Sequence, residues 1–288
     1  MSNSRYMREE AEMKKLVLCL LMCFFLAATV HGGRLALKVN GGGFYLMGGD
    51  YNKWMVGFRD YELSVLGAGE TFVDSMKKLS LGYQFGAELL YSLNANLAVG
   101  IEAGYLSASV TSHLERTWHN YKWTVIPTLS AIPVTLNIHY FKPLGKKIKL
   151  QAMAGAGAFL ASYEMIYNIE DTAYPYSGTW SPDGQTVFGA KAGIGIEYPL
   201  SKKLALTVDV AGRYATIEGL SGPYEGIRNG SPYSGVGTQY FYYYDSEGKY
   251  PLLGVYDSEP SGVHVNNLRL ARYSLSGVSL LVGVKINL

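Results

Sequence analysis

Three kinds of side chain in this sequence invite a search for chemistry: histidines, cysteines and intramolecular charges. His113 and His119 flank Glu115, but a metal site needs a third convergent ligand that the spacing does not supply. His139 lies on the polar side of an alternating segment, the position of a satisfied inward-facing histidine. Gly155-Ala-Gly157 and Gly193-Ile-Gly195 sit within strand alternation rather than in a phosphate-binding loop. Both cysteines, Cys19 and Cys23, fall inside an N-terminal apolar run, so neither a disulfide nor a thiolate metal site is expected in the mature chain. What remains is charge. Glu88, Glu102, Glu197 and Asp209 face Lys38, Lys149, Lys191, Arg213 and Lys285 across the polar sides of several alternating segments. Such groups pair when they are buried together. No catalytic constellation, metal or cofactor is expected, and the chain reads as no enzyme.

The elements that carry these charges are strands. Leu79, Leu81, Tyr83, Phe85, Ala87, Leu89 and Tyr91 alternate with Ser80, Gly82, Gln84, Gly86 and Glu88. The same period of two recurs over 97–105, 131–140, 148–161, 188–200, 204–214 and 278–288, and less cleanly from Arg34 to Asn40. That gives eight strands. Their connections alternate strictly between short (92–96, 142–147, 201–203) and long (50–78, 107–122, 164–185, 219–269). A sandwich has no reason to send every long connection to one end, whereas a transmembrane barrel has short periplasmic turns and long extracellular loops.

Aromatic residues give a second reading of the same kind. Tyr91, Tyr140, Phe141 and Tyr198 precede the short turns, and Trp54, Trp123, Tyr163, Tyr214 and Tyr273 stand near the long-loop ends. Two aromatic girdles at the membrane interfaces are the expectation. The last long loop carries Tyr240, Tyr242, Tyr243, Tyr244, Tyr250 and Tyr256. It reads as a β-hairpin above the membrane whose tyrosines pair across strands, and also as a surface for adhesion or ligand contact. A runner-up topology inserts this hairpin into the membrane as strands nine and ten, against which Pro251 argues.

Composition agrees with an all-β membrane protein. The chain of 288 residues has 34 Gly and 24 Tyr, 48% hydrophobic residues and only 17% charged ones, and its net charge of +2 gives no sign of nucleic-acid binding. Lys14 and Lys15 precede the apolar run Leu16–Val30 and small residues follow, which is the pattern of a cleaved signal peptide over 1–32, with Met13 as a possible true start. The barrel then occupies 33–288.

With this architecture the chain resembles the OmpA/OmpX-type eight-stranded outer-membrane barrels of Gram-negative bacteria. The likeness rests on the strand pattern, on Ala131–Tyr140, and on the final strand, where Gly283, Ile286 and Leu288 stand at the positions of an assembly signal. Leu288 departs from the usual terminal Phe, and the likeness covers the barrel domain alone. The resemblance implies the bacterial outer membrane, contact with its lipid and lipopolysaccharide, insertion by the barrel-assembly machinery, and a monomer. Lipid A deacylases, which are barrels too, carry a His and a Ser two residues apart on one strand. None of His113, His119, His139 or His264 is followed by such a Ser. A barrel of about eight strands is just wide enough for side chains to fill it, so the nine charges are expected to plug the lumen, with glycines making room for them. The role expected is structural or surface interaction with an unidentified ligand. A narrow pore for ions or small solutes is the alternative, and a lipid-modifying enzyme a weaker one.

Overall fold

The computed structural model describes residues 35–117, 121–145, 147–244, 249–262 and 264–288. The expected leader at 1–32, with Met13, Cys19 and Cys23, lies outside the described residues, as does His119. In chain order the elements are β1 (Leu35–Leu46), α1 (Asp50–Ser64), β2 (Phe72–Ser75), β3 (Leu81–Ser92), β4 (Leu97–Ser109) and β5 (Ser112–Arg116). There follow β6 (Tyr121–Leu144), β7 (Ile148–Glu170), β8 (Tyr176–Trp180), β9 (Gln185–Pro199), β10 (Leu204–Tyr214) and β11 (Thr216–Glu218). The last are β12 (Ser221–Arg228), β13 (Ser231–Tyr244), β14 (Tyr250–Tyr256), β15 (Val265–Leu270), β16 (Arg272–Ser274) and β17 (Gly277–Asn287).

The strands therefore outnumber the eight expected. The eight segments that alternate most regularly do pair antiparallel into a closed ring, β1–β3–β4–β6–β7–β9–β10–β17, and β17 returns to β1. Closure leaves the ring without an unpaired strand edge. The other strands lie at one end of the ring. All three short turns lie at the opposite end, joining β3 to β4, β6 to β7 and β9 to β10. The tyrosine hairpin, β13 and β14, pairs with β12 and β15 and, among the described residues, with no ring strand.

Two ring strands are far longer than a membrane needs. β6 has 24 residues and β7 has 23, against the roughly 9–11 that span the hydrocarbon core. Their upper halves rise clear of the ring and carry a second sheet, in the order β14–β13–β12–β8–β7–β6–β5–β2. Helix α1 lies across its open side. One flank touches β14, where Gly57 permits close approach of the Pro251 ring. The other flank reaches β5 through Glu62 and Arg116, whose atoms are 2.8 Å apart. The result is a half-barrel wrapped on a helix, whose apolar core of Trp54, Met55, Trp123, Trp180 and Phe241 runs on into ring residues such as Phe44, Leu46, Leu106 and Phe159.

The helix corrects the reading of 50–78 as a plain loop. It also corrects part of the aromatic girdle. Tyr140, Tyr198 and Tyr214 face outward, Tyr91 is half-buried, and Tyr214 is the most exposed at 71%. Trp54 lies on α1 and meets Trp123 edge-to-face at 5.6 Å, and both are buried. Tyr163 and Tyr273 are buried against each other at 4.4 Å. Phe141 points into the lumen, stacked on His139. Parity is the reason: Trp123 and Phe141 share the odd register of Thr135, Asn137 and His139 on β6, and Tyr163 that of Gln151 and Met153 on β7. Nearness to a strand end does not choose the face; register does.

Candidate functional site

The alternating strands bring the expected charges together inside the ring. Lys38 on β1 reaches over β17 to Asp209 on β10, 2.8 Å away, and both are almost fully buried. Glu197 on β9 is shared by Lys285 at 2.7 Å and by the more exposed Lys149 at 3.5 Å. Lys191 pairs with Glu102. Glu88 and Glu102 stand directly opposite each other on β3 and β4, a repulsive pairing taken alone. Asn137 resolves it by donating to both, at 2.6 and 3.0 Å.

His139, fully buried, sits 2.7 Å from Glu88 through Nε2, and its Nδ1 accepts from Gln151 at 2.8 Å. Its two ring nitrogens are thus satisfied within the packing, as expected for a lumen histidine. Among the described residues Arg213 does not pair directly with a carboxylate. It donates to the Leu275 carbonyl at 2.8 Å and to Gln84 at 2.9 Å, and lies over the Phe44 ring. The glycines serve this packing. A Cβ at Gly100, Gly155 or Gly195 would press on Glu88, Asn137 or Asp209 respectively. The void left among Gln84, Glu102, Lys191, Arg213 and Ser279 measures about 30 Å³, room for a water molecule and little more.

Above this layer the half-barrel adds a second site that the sequence reading did not single out. A cavity of about 390 Å³ opens between α1 and strands β6, β7, β8, β12, β13 and β14. Trp54, Trp123 and Trp180 supply its deep walls, and Tyr167, Tyr176 and Tyr233 its outer part. Burial first, then the hydroxyl contacts with Tyr176 and Tyr233, push the Tyr167 phenol far up, so it stays a neutral donor. Among the described residues no group of three or more His, Cys, Asp or Glu is arranged for a metal ion. His113 bonds Thr124 at 2.9 Å.

A closed antiparallel ring, an outward apolar band and a packed polar lumen agree with the family comparison. The model of the outer membrane protein β-barrel domain matches residues 16–239. The chain belongs to that family. Its place is the bacterial outer membrane.

Three solved structures that the chain matches at low identity are of outer-membrane proteins. A major outer membrane protein from Thermus thermophilus is 14% identical with a TM-score of 0.43, covering 88% of this chain and 99% of that one. OprG from Pseudomonas aeruginosa is 10% identical with a TM-score of 0.37, covering 89% and 97%. The outer membrane protease OmpT from Escherichia coli is 10% identical with a TM-score of 0.40, covering 89% and 94%. No curated protein matches the chain.

In this outer-membrane barrel the loop tyrosines form the expected hairpin, with Tyr244 opposite Tyr250 and Thr238 opposite Tyr256. Tyr242 and Tyr250 are buried, Tyr240, Tyr243, Tyr244 and Tyr256 half-buried. Tyr242 and Tyr256 share a hydroxyl contact of 2.6 Å, and Tyr61 of α1 packs on both Tyr244 and Tyr250. Gly283, Ile286 and Leu288 stand at the last strand's end, Gly283 turned to the lumen opposite Asn40 and the other two outward.

Proposed function

We propose that this barrel crosses the membrane with its eight ring strands alone, after cleavage of a leader, and works as a monomeric surface protein without turnover. The charge network closes its lumen, and the half-barrel above the membrane makes the contacts with ligand. One observation carries the reading. Each lumen carboxylate has a cationic or hydrogen-bonding partner within the ring, and the aromatic core of α1 lies over the top. A conducting path would have to displace buried ion pairs whose separation costs several kcal/mol, on the order of 3–5. Lipid and lipopolysaccharide meet the outward apolar band, and the assembly machinery reads the last strand at Gly283 and Ile286 and the Leu288 that follows it.

Planar-bilayer recording of the refolded full chain tests this. The expected result is a flat current at moderate voltage. Discrete openings whose size changes in Arg213→Ala would replace the closed-lumen reading with the narrow pore.

A further inference from the structure

The cavity of the half-barrel has two unlike ends. Its deep part is apolar, built by Trp54, Trp123, Val125, Met165, Trp180 and Leu253. Its outer part is a rank of phenols. Tyr176 is stacked between Tyr167, at 5.0 Å and 15°, and Tyr233, at 5.1 Å and 20°. The Tyr167 hydroxyl contacts those of Tyr176 and Tyr233 at 3.0 and 2.6 Å. The backbone is shaped for this cluster, since a Cβ at Gly178 would collide with the Tyr167 and Tyr233 hydroxyls.

Charge sets the sign of what fits. Among the described residues Arg228 is the one charged side chain that lines the cavity; the nearest carboxylate held by a lining side chain is that of Asp257, which accepts from the Tyr224 hydroxyl at 2.7 Å. Arg228 is exposed and has no ion-pair partner among the described residues. Trp180 is fully buried, and its indole N–H has no hydrogen-bond partner there either. Aromatic walls favour flat rings by stacking, a guanidinium favours a carboxylate, and about 390 Å³ lies in the usual range for small-molecule sites.

We propose that this cavity binds a small, flat, amphipathic anion. Its ring system lies against Trp54, Trp123 and Trp180, and its acidic group lies at Arg228 and the Tyr167–Tyr176–Tyr233 phenols. The proposal rests on the reading that the half-barrel is the working surface. It names the ligand class for that surface.

The test uses the full chain refolded into lipid nanodiscs, with naphthalene-2-carboxylate as probe. Binding is read by quenching of tryptophan fluorescence and by calorimetry, against empty nanodiscs. The expected result is saturable one-to-one binding, with 2-naphthylmethylammonium weaker by about tenfold or more, as loss of a charge-assisted contact implies. Arg228→Gln, a change at an exposed position, should remove most of that preference and leave neutral 2-naphthol unaffected. Val255→Trp, which fills the cavity rather than emptying the core, should abolish binding of all three. Equal affinity for the anion and the ammonium, no effect of either variant, or saturable binding of maltose in place of the naphthoate would overturn the proposal. Failure here leaves a flat bilayer current as it was, and a conducting lumen would leave this binding as it was, so the two readings fail separately.

Discussion

Arg116 is shared by two carboxylates in unlike settings, and the difference has a measurable consequence. Glu62 on α1 is buried; burial pushes its pKa up against the pull of Arg116. Glu70 is held down, first by its hydrogen bond from Arg116 at 2.8 Å. Burial opposes the charge of Arg116, but the bonds it donates to Glu70 and Glu62 outweigh that and raise its pKa. The two acids therefore act on folding with opposite signs. Stability from Glu62 is fully present below its unfolded pKa, about 4.3, and is lost as pH rises through its raised folded value. Stability from Glu70 is present above about 4.3 and is lost as pH falls through its depressed folded value. Protection of the α1 amides from hydrogen exchange, corrected for intrinsic rate, should thus peak in the ordinary carboxylate range. Glu62→Gln should flatten the limb above the peak and Glu70→Gln the limb below it. A profile without a peak in the parent chain rejects this assignment. Neither acid stood out in the sequence, because 46 residues separate Arg116 from Glu70 and 54 from Glu62. The lumen charges were legible, since period-two alternation alone assigns Glu88, Glu102 and Lys191 to one face.

Among the elements, α1 departs most from what strand periodicity shows. Its signal is present nonetheless: Tyr51, Trp54, Met55 and Phe58 recur at helical spacing after Gly48 and Gly49. The helix has no side-chain N-cap, and its first-turn Asp50 is held by Arg269 at 2.5 and 2.6 Å and by the Arg272 backbone N–H at 2.8 Å. Tertiary contacts thus hold α1 in place. Trp54 is central to them, edge-on to Trp123 of β6 and, within the helix, to Tyr51. Trp54→Ala should weaken docking of the helix by about 3–5 kcal/mol, the usual cost of emptying an aromatic site. It should raise protease cleavage near α1 while the ring keeps its heat-modifiable migration on gels. Loss of that migration would mean that the ring depends on the helix. The cavity was illegible for a related reason: its walls come from seven elements, and only long-range pairing places Trp123, Trp180 and Tyr233 together.

For the whole molecule, an apolar side chain can stand out into water or into lipid, and a charge put in its place distinguishes the two. Leu136 on β6 is 62% exposed and Val236 on β13 is 64% exposed. Both belong to strands with alternating faces. Leu136 lies on a ring strand midway between the short turn and the rim, with Ile101 and Ala156 as its register neighbours. Val236 lies on a strand that pairs only with other strands above the ring. If eight strands cross, Leu136→Arg places a guanidinium in hydrocarbon and should cost about 2–4 kcal/mol, whereas Val236→Arg should cost about 0–1. Urea unfolding of the two variants in lipid vesicles, followed by tryptophan fluorescence, measures the difference. Equal and large penalties would put β13 in the bilayer and revive a crossing of ten strands. A small penalty at Leu136 would deny that the ring meets lipid there. A large penalty at Leu136 alone separates the membrane-crossing ring from the half-barrel above it, which leaves the aromatic cavity on the water side, where a dissolved anion can reach Arg228.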